Sequence, residues 1–354
     1  MVPVRLGVIG CGVIGQQHLE AATDSPLTEV EAVADLRGEA ARDAARKFGI
    51  KAAYDNAEAL LNDPNVEAVV LAMPACSRTA LAIQAFARNK HVLTEKPVAM
   101  NAREVEQMIR ARGEKLVAAC CSSRMRFFES AEAATKFVGS GALGDLRVIR
   151  CRALMSVNQP LDTSPPSWRL DKSLNGGGIL ANWGCYDLDY VLGITGWKLK
   201  PNLVLAKTWA IPDQFKPYVD AGSDAETHFV ALIFCEGGCV IVFERAEYIS
   251  ARPEGVWEVV GNNGTLHLAM AADPARIVFD TLISVEDGLI SKTIWQGRET
   301  NGSAVTRIGP IEDFAVAVRE RRSPKTGLEQ ALVVQKITDA ILASAGSGQS
   351  AMID

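Results

Sequence analysis

Leu6-Gly7-Val8-Ile9-Gly10-Cys11-Gly12-Val13-Ile14-Gly15 is a short apolar run, rich in β-branched residues, that breaks into three glycines at the spacing G-x-G-x-x-G. Gln16-Gln17-His18-Leu19-Glu20-Ala21-Ala22 follows directly and reads as helix. The order is strand, tight turn, helix N-terminus. The first glycine permits the turn, the second lets backbone approach a pyrophosphate, and the third lets helix pack close to strand. Phosphates would rest on the free N–H groups at the positive end of the helix. The bare pattern also occurs in ordinary glycine-rich turns, so context decides. A second strand-like run, Val30 to Ala34, ends at Asp35, twenty residues after Gly15. An acid there accepts both ribose hydroxyls of NAD and repels the 2′-phosphate of NADP. Arg37 is able to pair with such a phosphate. The residues therefore point to NAD, with NADP left open.

Around this stretch the chain has 354 residues, enough for two domains with substantial cores. Apolar residues make up 48% and charged residues 22%, an ordinary globular balance. A net charge of −5 gives no reason to expect a nucleic-acid or membrane-surface partner. No apolar run has the length of a membrane span, and no secretory signal opens the chain. A fingerprint starting at residue 6 leaves no room for a transit peptide, so a cytoplasmic protein is expected. None of the eight cysteines forms C-x-x-C, and most sit in apolar runs; buried free thiols are expected. The four histidines are scattered without a cysteine at ligand spacing, and no metal is expected.

From 1 to 122, strand and helix alternate, which predicts an α/β domain with a doubly wound parallel sheet. From 123 to 345 a helix at 130–138 is followed mainly by strands, with a hairpin signal at Glu236-Gly237-Gly238. This predicts an α+β domain with an antiparallel sheet. Closing helices are read at 311–322 and 328–345, and those helices are candidates to pack back on the first domain. Gly346-Ser347-Gly348 opens what reads as a flexible tail over 346–354.

Two clusters carry chemistry. Thr94-Glu95-Lys96-Pro97 closes a strand, at the sheet edge where α/β ligands bind. A lysine there is able to orient a substrate hydroxyl and stabilise a developing alkoxide; the plainer reading is a solvated lysine ending a strand. Gly176-Gly177-Gly178 opens a helical segment on which Asn182, Tyr186 and Asp189 fall at i, i+4 and i+7, so they share one face. The plainer reading is a core tyrosine satisfied by its neighbours. Trp168-Arg169 follows a proline-rich loop (Pro160, Pro165, Pro166) and would either line a sugar site or cover a domain junction.

Gly10-x-Gly12-x-x-Gly15 with His18, Glu95-Lys96-Pro97, Trp168-Arg169 and the Gly176 block together resemble the glucose–fructose oxidoreductase/inositol dehydrogenase (Gfo/Idh/MocA) family. Gly139-x-Gly141-x-x-Gly144 and Arg322-Ser323-Pro324 extend the likeness nearly end to end. The resemblance implies an N-terminal Rossmann domain and an open, mostly antiparallel sheet through which members form dimers or tetramers. It also implies NAD(P)-dependent oxidation or reduction of sugars and polyols. The family's helix motif usually has Asp, then His four residues later, then Asp; here Asn182, Tyr186 and Asp189 stand instead. Tyr186 thus replaces the usual catalytic His, as is similar in glucose–fructose oxidoreductase and dimeric dihydrodiol dehydrogenase. A phenol has an ordinary pKa of about 10, and a nearby ammonium favours the phenolate. The family's Thr-Pro-Asn-x-x-His appears as Met73-Pro74-Ala75-Cys76-Ser77-Arg78, where Arg78 adds a cation suited to an acidic or highly hydroxylated substrate.

The resemblance therefore makes Lys96 and Tyr186 the catalytic candidates. Gly10, Cys11, Gly12, Val13, Ile14, Gly15, Asp35, Arg37, Met73, Pro74, Arg78, Glu95 and Lys96 are expected to hold the cofactor. Lys96, Trp168, Arg169, Asn182, Tyr186 and Asp189 are expected to meet a carbohydrate-like substrate, with Trp168 and Arg169 lining the cleft between domains. A redox-neutral, NAD-dependent glycoside-cleaving enzyme and a non-enzymatic sensor of cofactor or sugar stay open. Substrate choice is expected in loops near 155–175, 210–225 and 270–300.

Overall fold

In the computed structural model, which describes residues 1–156, 166–300 and 302–353, the chain forms two compact units. One comprises Met1–Arg124 and Ala304–Gln335, the other Met125–Ser303 and Lys336–Asp354. In chain order the elements are β1 (Val4–Ile9), α1 (Val13–Asp24), β2 (Thr28–Ala34), α2 (Gly38–Phe48), β3 (Ala52–Tyr54), α3 (Ala57–Leu61), β4 (Ala68–Leu71), α4 (Ala75–Ala87), β5 (His91–Thr94), α5 (Ala102–Arg112) and β6 (Ala118–Cys120). The second unit adds α6 (Glu129–Gly139), β7 (Leu146–Ser156), α7 (Lys172–Asn175), a π-helical turn (Leu180–Gly184) and α8 (Cys185–Ile194). Its strands continue as β8 (Pro201–Ala210), β9 (Glu226–Cys235), β10 (Val240–Ile249), β11 (Glu254–Gly261), β12 (Gly264–Leu268), β13 (Ala275–Ser284) and β14 (Gly288–Gly297). The chain closes with α9 (Val305–Glu320), α10 (Leu328–Ser347) and β15 (Ala351–Met352).

The first unit is built on β1. Its pleat sends Val4, Leu6 and Val8 to one face, where Leu19 of α1, Ala41, Ala44 and Ala45 of α2, and Phe314 and Val318 of α9 bury them. Ile9 joins the opposite core with Leu60 of α3, Phe86 of α4, Met108 of α5 and Leu328 of α10. Burial on both faces explains why the strands read as unbroken apolar runs. The sheet is wholly parallel in the order β3-β2-β1-β4-β5-β6, the doubly wound arrangement expected. It places the carboxyl ends of β2, β1, β4 and β5 side by side on one edge.

The second unit is a nine-stranded sheet in the order β14-β13-β12-β11-β7-β10-β9-β8-β15. It is mixed: β7 and β10 pair in parallel and the other neighbours antiparallel. Period-2 alternation divides its faces. Ile149, Cys151, Phe229, Ile233 and Phe243 are buried on one, where the Phe229 and Phe243 rings meet edge to face at 4.7 Å. The other carries cross-strand ion pairs, Arg150–Glu258 (2.9 Å) and Arg152–Glu244 (2.8 Å), and exposed Leu205, Leu232 and Phe234.

Three expectations are corrected. Residues near 270–300, read as a substrate loop, form the β13–β14 hairpin; its marker is Asp287-Gly288, with Gly288 at φ +80°. The helix read from 311 begins at Val305, because Pro310 is accommodated inside it at the loss of one backbone hydrogen bond. The end of the chain is not a free tail. Ala351 and Met352 pair with Val204 and Leu203, and the Ser344 hydroxyl, which accepts from the Ala206 N–H, donates to the Gln349 carbonyl. Glycine and serine content signals intrinsic flexibility, but a sheet edge that needs partners overrides it.

The second unit holds α8 to its sheet by a buried ion pair. Asp187, 1% exposed, accepts from Arg245 Nε at 2.6 Å and Nη2 at 3.1 Å, and from Trp257 Nε1 at 2.8 Å. Asp187→Leu would strand a buried guanidinium and is expected to destabilise the protein by about 3–5 kcal/mol. Chemical denaturation measures this; a change under 1 kcal/mol would mean that the pair is dispensable.

Candidate active site

In the first unit the three fingerprint glycines answer three different constraints. Gly10 has φ +96°, and a Cβ on it would lie 2.5 Å from the Ala72 carbonyl oxygen. A Cβ on Gly15 would lie 1.9 Å from the Gly10 oxygen, so only glycine allows α1 this close to β1. Above Gly12 the space is open. Gly12 caps α1 without a side-chain hydrogen bond, leaving first-turn N–H groups for an anion. Val13 is 80% exposed beside them, while Cys11 and Gly15 are buried and Ile14 is half-buried.

Asp35 sits at the end of β2. Its Oδ2 accepts from the Cys11 N–H at 2.8 Å, and its Oδ1 from the Arg37 N–H at 2.9 Å and Arg37 Nε at 3.4 Å. Partial burial pushes this carboxyl up, but those N–H groups and the Arg37 charge outweigh it and hold the group below its usual range. Asp35 is thus an ionised acceptor fixed to the glycine turn. Exposed Leu36 lies beside it and supplies an apolar surface that the motif reading missed. An open Gly12, uncapped N–H groups and an anchored carboxylate together fit NAD.

Met73 and Pro74, both half-buried, lead from β4 into α4, and Lys96 follows β5. The sheet order thus gathers Gly10–Gly15, Asp35, Met73, Pro74 and Lys96 on one edge. Arg78 and Glu95 are turned inward. Arg78 is 3% exposed, and its guanidinium donates to the backbone carbonyls of Glu95 (3.2 Å) and Pro97. Glu95 is 2% exposed and paired with His18 (2.7 Å) and Arg124. His18, Glu95 and Cys121 also form a group of potential metal ligands. The Arg124 guanidinium on the same carboxylate oxygen opposes a second cation there, and burial pushes the Cys121 thiol up, away from the thiolate that a metal needs.

In the second unit the glycine block is explained by Glu226, a buried carboxylate absent from the motif reading. Its Oε1 accepts from the N–H groups of Gly178 (2.8 Å) and Leu180 (3.2 Å), capping the helical segment. A Cβ on Gly178 would lie 1.9 Å from the Glu226 carbonyl oxygen. The segment then makes its π turn before α8, a feature often found at functional positions. Asn182 and Tyr186 are 8% and 6% exposed. The Tyr186 ring meets Trp183 edge-on at 5.5 Å, and Arg245 lies over Trp183 at 5.0 Å.

Asp189 is held inside its own unit. It is fully buried and accepts from Arg126 Nε at 2.6 Å; Gly193 makes the room, since a Cβ there would lie 2.2 Å from Arg126 Cδ. Arg169 is likewise bound to Glu247, with Trp168 half-buried beside it. Pro160 and Pro165 lie outside the described residues, and Pro166 is exposed.

Residues 4–120 match the model of an oxidoreductase family with an NAD-binding Rossmann fold, and 131–267 match the GFO/IDH/MocA C-terminal domain. The chain belongs to the GFO/IDH/MocA oxidoreductase family. It is 26% identical over 383 residues to levoglucosan dehydrogenase of Pseudarthrobacter phenanthrenivorans, covering 98% of this chain and 97% of that one. Myo-inositol 2-dehydrogenase of Thermotoga maritima is 27% identical over 263 residues, 74% of each chain. In fold, the chain superposes on levoglucosan dehydrogenase in complex with NADH and L-sorbose with a TM-score of 0.86, at 23% identity and full coverage of both chains. Among the described residues, no helix is long and apolar enough to cross a membrane.

As a GFO/IDH/MocA oxidoreductase, the protein should depend on Asp35 for cofactor choice. Asp35→Ala is expected to weaken NAD⁺ binding about tenfold or more, the scale of lost charge-assisted hydrogen bonds, and to narrow the margin over NADP⁺. Calorimetric titration with both cofactors measures this, and unchanged NAD⁺ affinity would remove Asp35 from the ribose site.

Proposed function

We propose that the protein is an NAD-dependent dehydrogenase of sugars, polyols or related cyclic hydroxyl compounds, in which Lys96 and Tyr186 act on the substrate hydroxyl. The observation that carries the reading is the ionised Asp35 carboxylate fixed to the N–H of Cys11 at an open glycine turn. The substrates in the names of two relatives, levoglucosan and myo-inositol, are cyclic compounds bearing several hydroxyls, which supports the substrate class.

Bound NAD⁺ supplies the hydride acceptor. Lys96, at the end of β5, holds the substrate oxygen and stabilises its developing negative charge. Tyr186 takes the hydroxyl proton as general base and returns it in the reverse reaction. A cation favours the phenolate that this requires, and Lys96 is the group assigned to provide it. Asn182, one turn before Tyr186, is neutral and adds no anion that would oppose the phenolate. Trp168 lines the substrate side of its own unit. A second copy of the chain is expected to cover the sheet face bearing Leu205, Leu232 and Phe234, giving a homodimer or homotetramer.

Purified protein incubated with NAD⁺ or NADP⁺ and a panel of sugars, polyols, sugar acids and aryl glycosides tests the reading. Reduced-nicotinamide absorbance and aglycone release are followed together. Steady NADH formation with a cyclic polyol is expected, and Lys96→Ala and Tyr186→Phe should each lower turnover by about two to four orders of magnitude. Near-normal turnover in both variants would remove the mechanism. Aglycone release without net NADH would replace it with the redox-neutral glycoside cleavage. Cofactor binding with no turnover would favour a sensor.

A further inference from the structure

Lys96 stands in a frame of buried charges. Its own N–H donates to Glu95 Oε2 at 3.1 Å. The other oxygen of that carboxylate, Oε1, faces His18 Nε2 at 2.7 Å and receives the Arg124 guanidinium. Arg78 donates to the carbonyl of Glu95 at 3.2 Å and to that of Pro97. The residues before and after Lys96 are therefore gripped from one side by the same guanidinium, while its amide lands on an anchored anion. Glu95, His18, Arg78 and Arg124 are all between 2% and 6% exposed.

The charges in the frame are ordered. Burial alone would neutralise Glu95, but the Arg124 guanidinium, then the His18 hydrogen bond and the Lys96 ammonium, hold its carboxyl well below the usual range. Burial pushes His18 down, against its bond to Glu95 and with the help of the two arginines, so the ring is a neutral donor to the carboxylate. His18 lies on α1, one turn past Gly15, so the anchor is fastened to the helix whose first turn fits a pyrophosphate.

We propose that Glu95 is the positioning residue of Lys96: its clamped carboxylate fixes the lysine backbone and supplies an anion to its ammonium, while Arg78 braces the peptide before and after it. The meaning of this frame for catalysis rests on the role given to Lys96 above; the frame itself is tested without a substrate. An anion too far from the Lys96 ammonium to act on it would leave the chemistry of that amine unchanged when it is neutralised.

The test is competitive labelling of the holoprotein with trace acetic anhydride from pH 7 to 11, with the Lys96-containing peptide quantified by mass spectrometry against the exposed Lys200. Glu95→Gln removes the anion and keeps the shape. The midpoint for Lys96 is expected to fall by about one pH unit, the order set by losing one nearby charge, so labelling below the midpoint rises about tenfold. An unmoved profile in folded Glu95→Gln protein overturns the proposal. Where Glu95→Gln does not fold, Arg78→Met decides. It keeps the anion and drops the brace, and the Lys96 amide should then exchange its hydrogen at least about tenfold faster; unchanged exchange overturns the proposal. Lys96→Ala that retains full turnover would remove the catalytic reading and leave the labelling result standing, so the two failures are distinguishable.

Discussion

A carboxylate buried at the end of a parallel strand has to be answered by positive charge, and the answer at Glu95 organises the first unit's working edge. Desolvation of an isolated carboxylate is far more costly than any single hydrogen bond restores. Glu95 is matched by Arg124 and by a donor from His18, and these partners come from different parts of the chain. One lies on α1, the other on the turn after β6. The ends of β1, β5 and β6 are therefore held by one charge cluster, at the edge where Gly10–Gly15 and Asp35 also stand. The close approach of α1 to β1 belongs to the same arrangement, because His18 reaches Glu95 from a helix that only glycine at 15 allows so near the strand.

The second unit repeats this logic on α8. Asp187 and Asp189 are both buried, and each is matched by one arginine, Arg245 and Arg126. Glu226 closes the front of the same segment by accepting from two backbone N–H groups. Three carboxylates therefore orient the helix that carries Asn182 and Tyr186. Arg245 has a further effect, since it also lies over Trp183, whose ring meets Tyr186.

The fold was legible where local chemistry and tertiary demand agree. Three glycines followed by an acid at the end of the next strand mark the cofactor turn, because each glycine meets a steric limit set by backbone only a few residues away or on the adjacent strand. Alternating apolar residues likewise announce β9 and β10. What could not be read was the direction in which charged side chains turn. Asp187 and Asp189 look alike in sequence, and the i, i+4, i+7 spacing put Asp189 on a working face. Its destination was set by Arg126, whose segment carries no motif, and the only local hint was the small Gly193 beside it. The direction of Arg78 was hidden for the same reason. A cation beside a ligand edge suggests an acidic substrate, yet its long stem reaches backbone carbonyls inward. Composition misled at the chain end, where ladder pairing to β8 outweighs the freedom of Gly346 and Gly348.

Asn182 and Tyr186 stand next to acids whose partners are already assigned. Asp187 and Asp189 on the helix beyond them are each paired with an arginine, and Glu226 Oε1 is met by two backbone N–H groups. An additional aspartate at 182, which is 8% exposed, would place a third anion among those pairs. An amide avoids that penalty and still offers both a donor and an acceptor. An amide at 182 and a phenol at 186 leave the pairs Asp187–Arg245 and Asp189–Arg126 undisturbed. On the proposed mechanism a tyrosine needs a cation rather than an anion near it to act as a base, and within the first unit the buried frame around Glu95 is what presents a lysine at the cofactor edge.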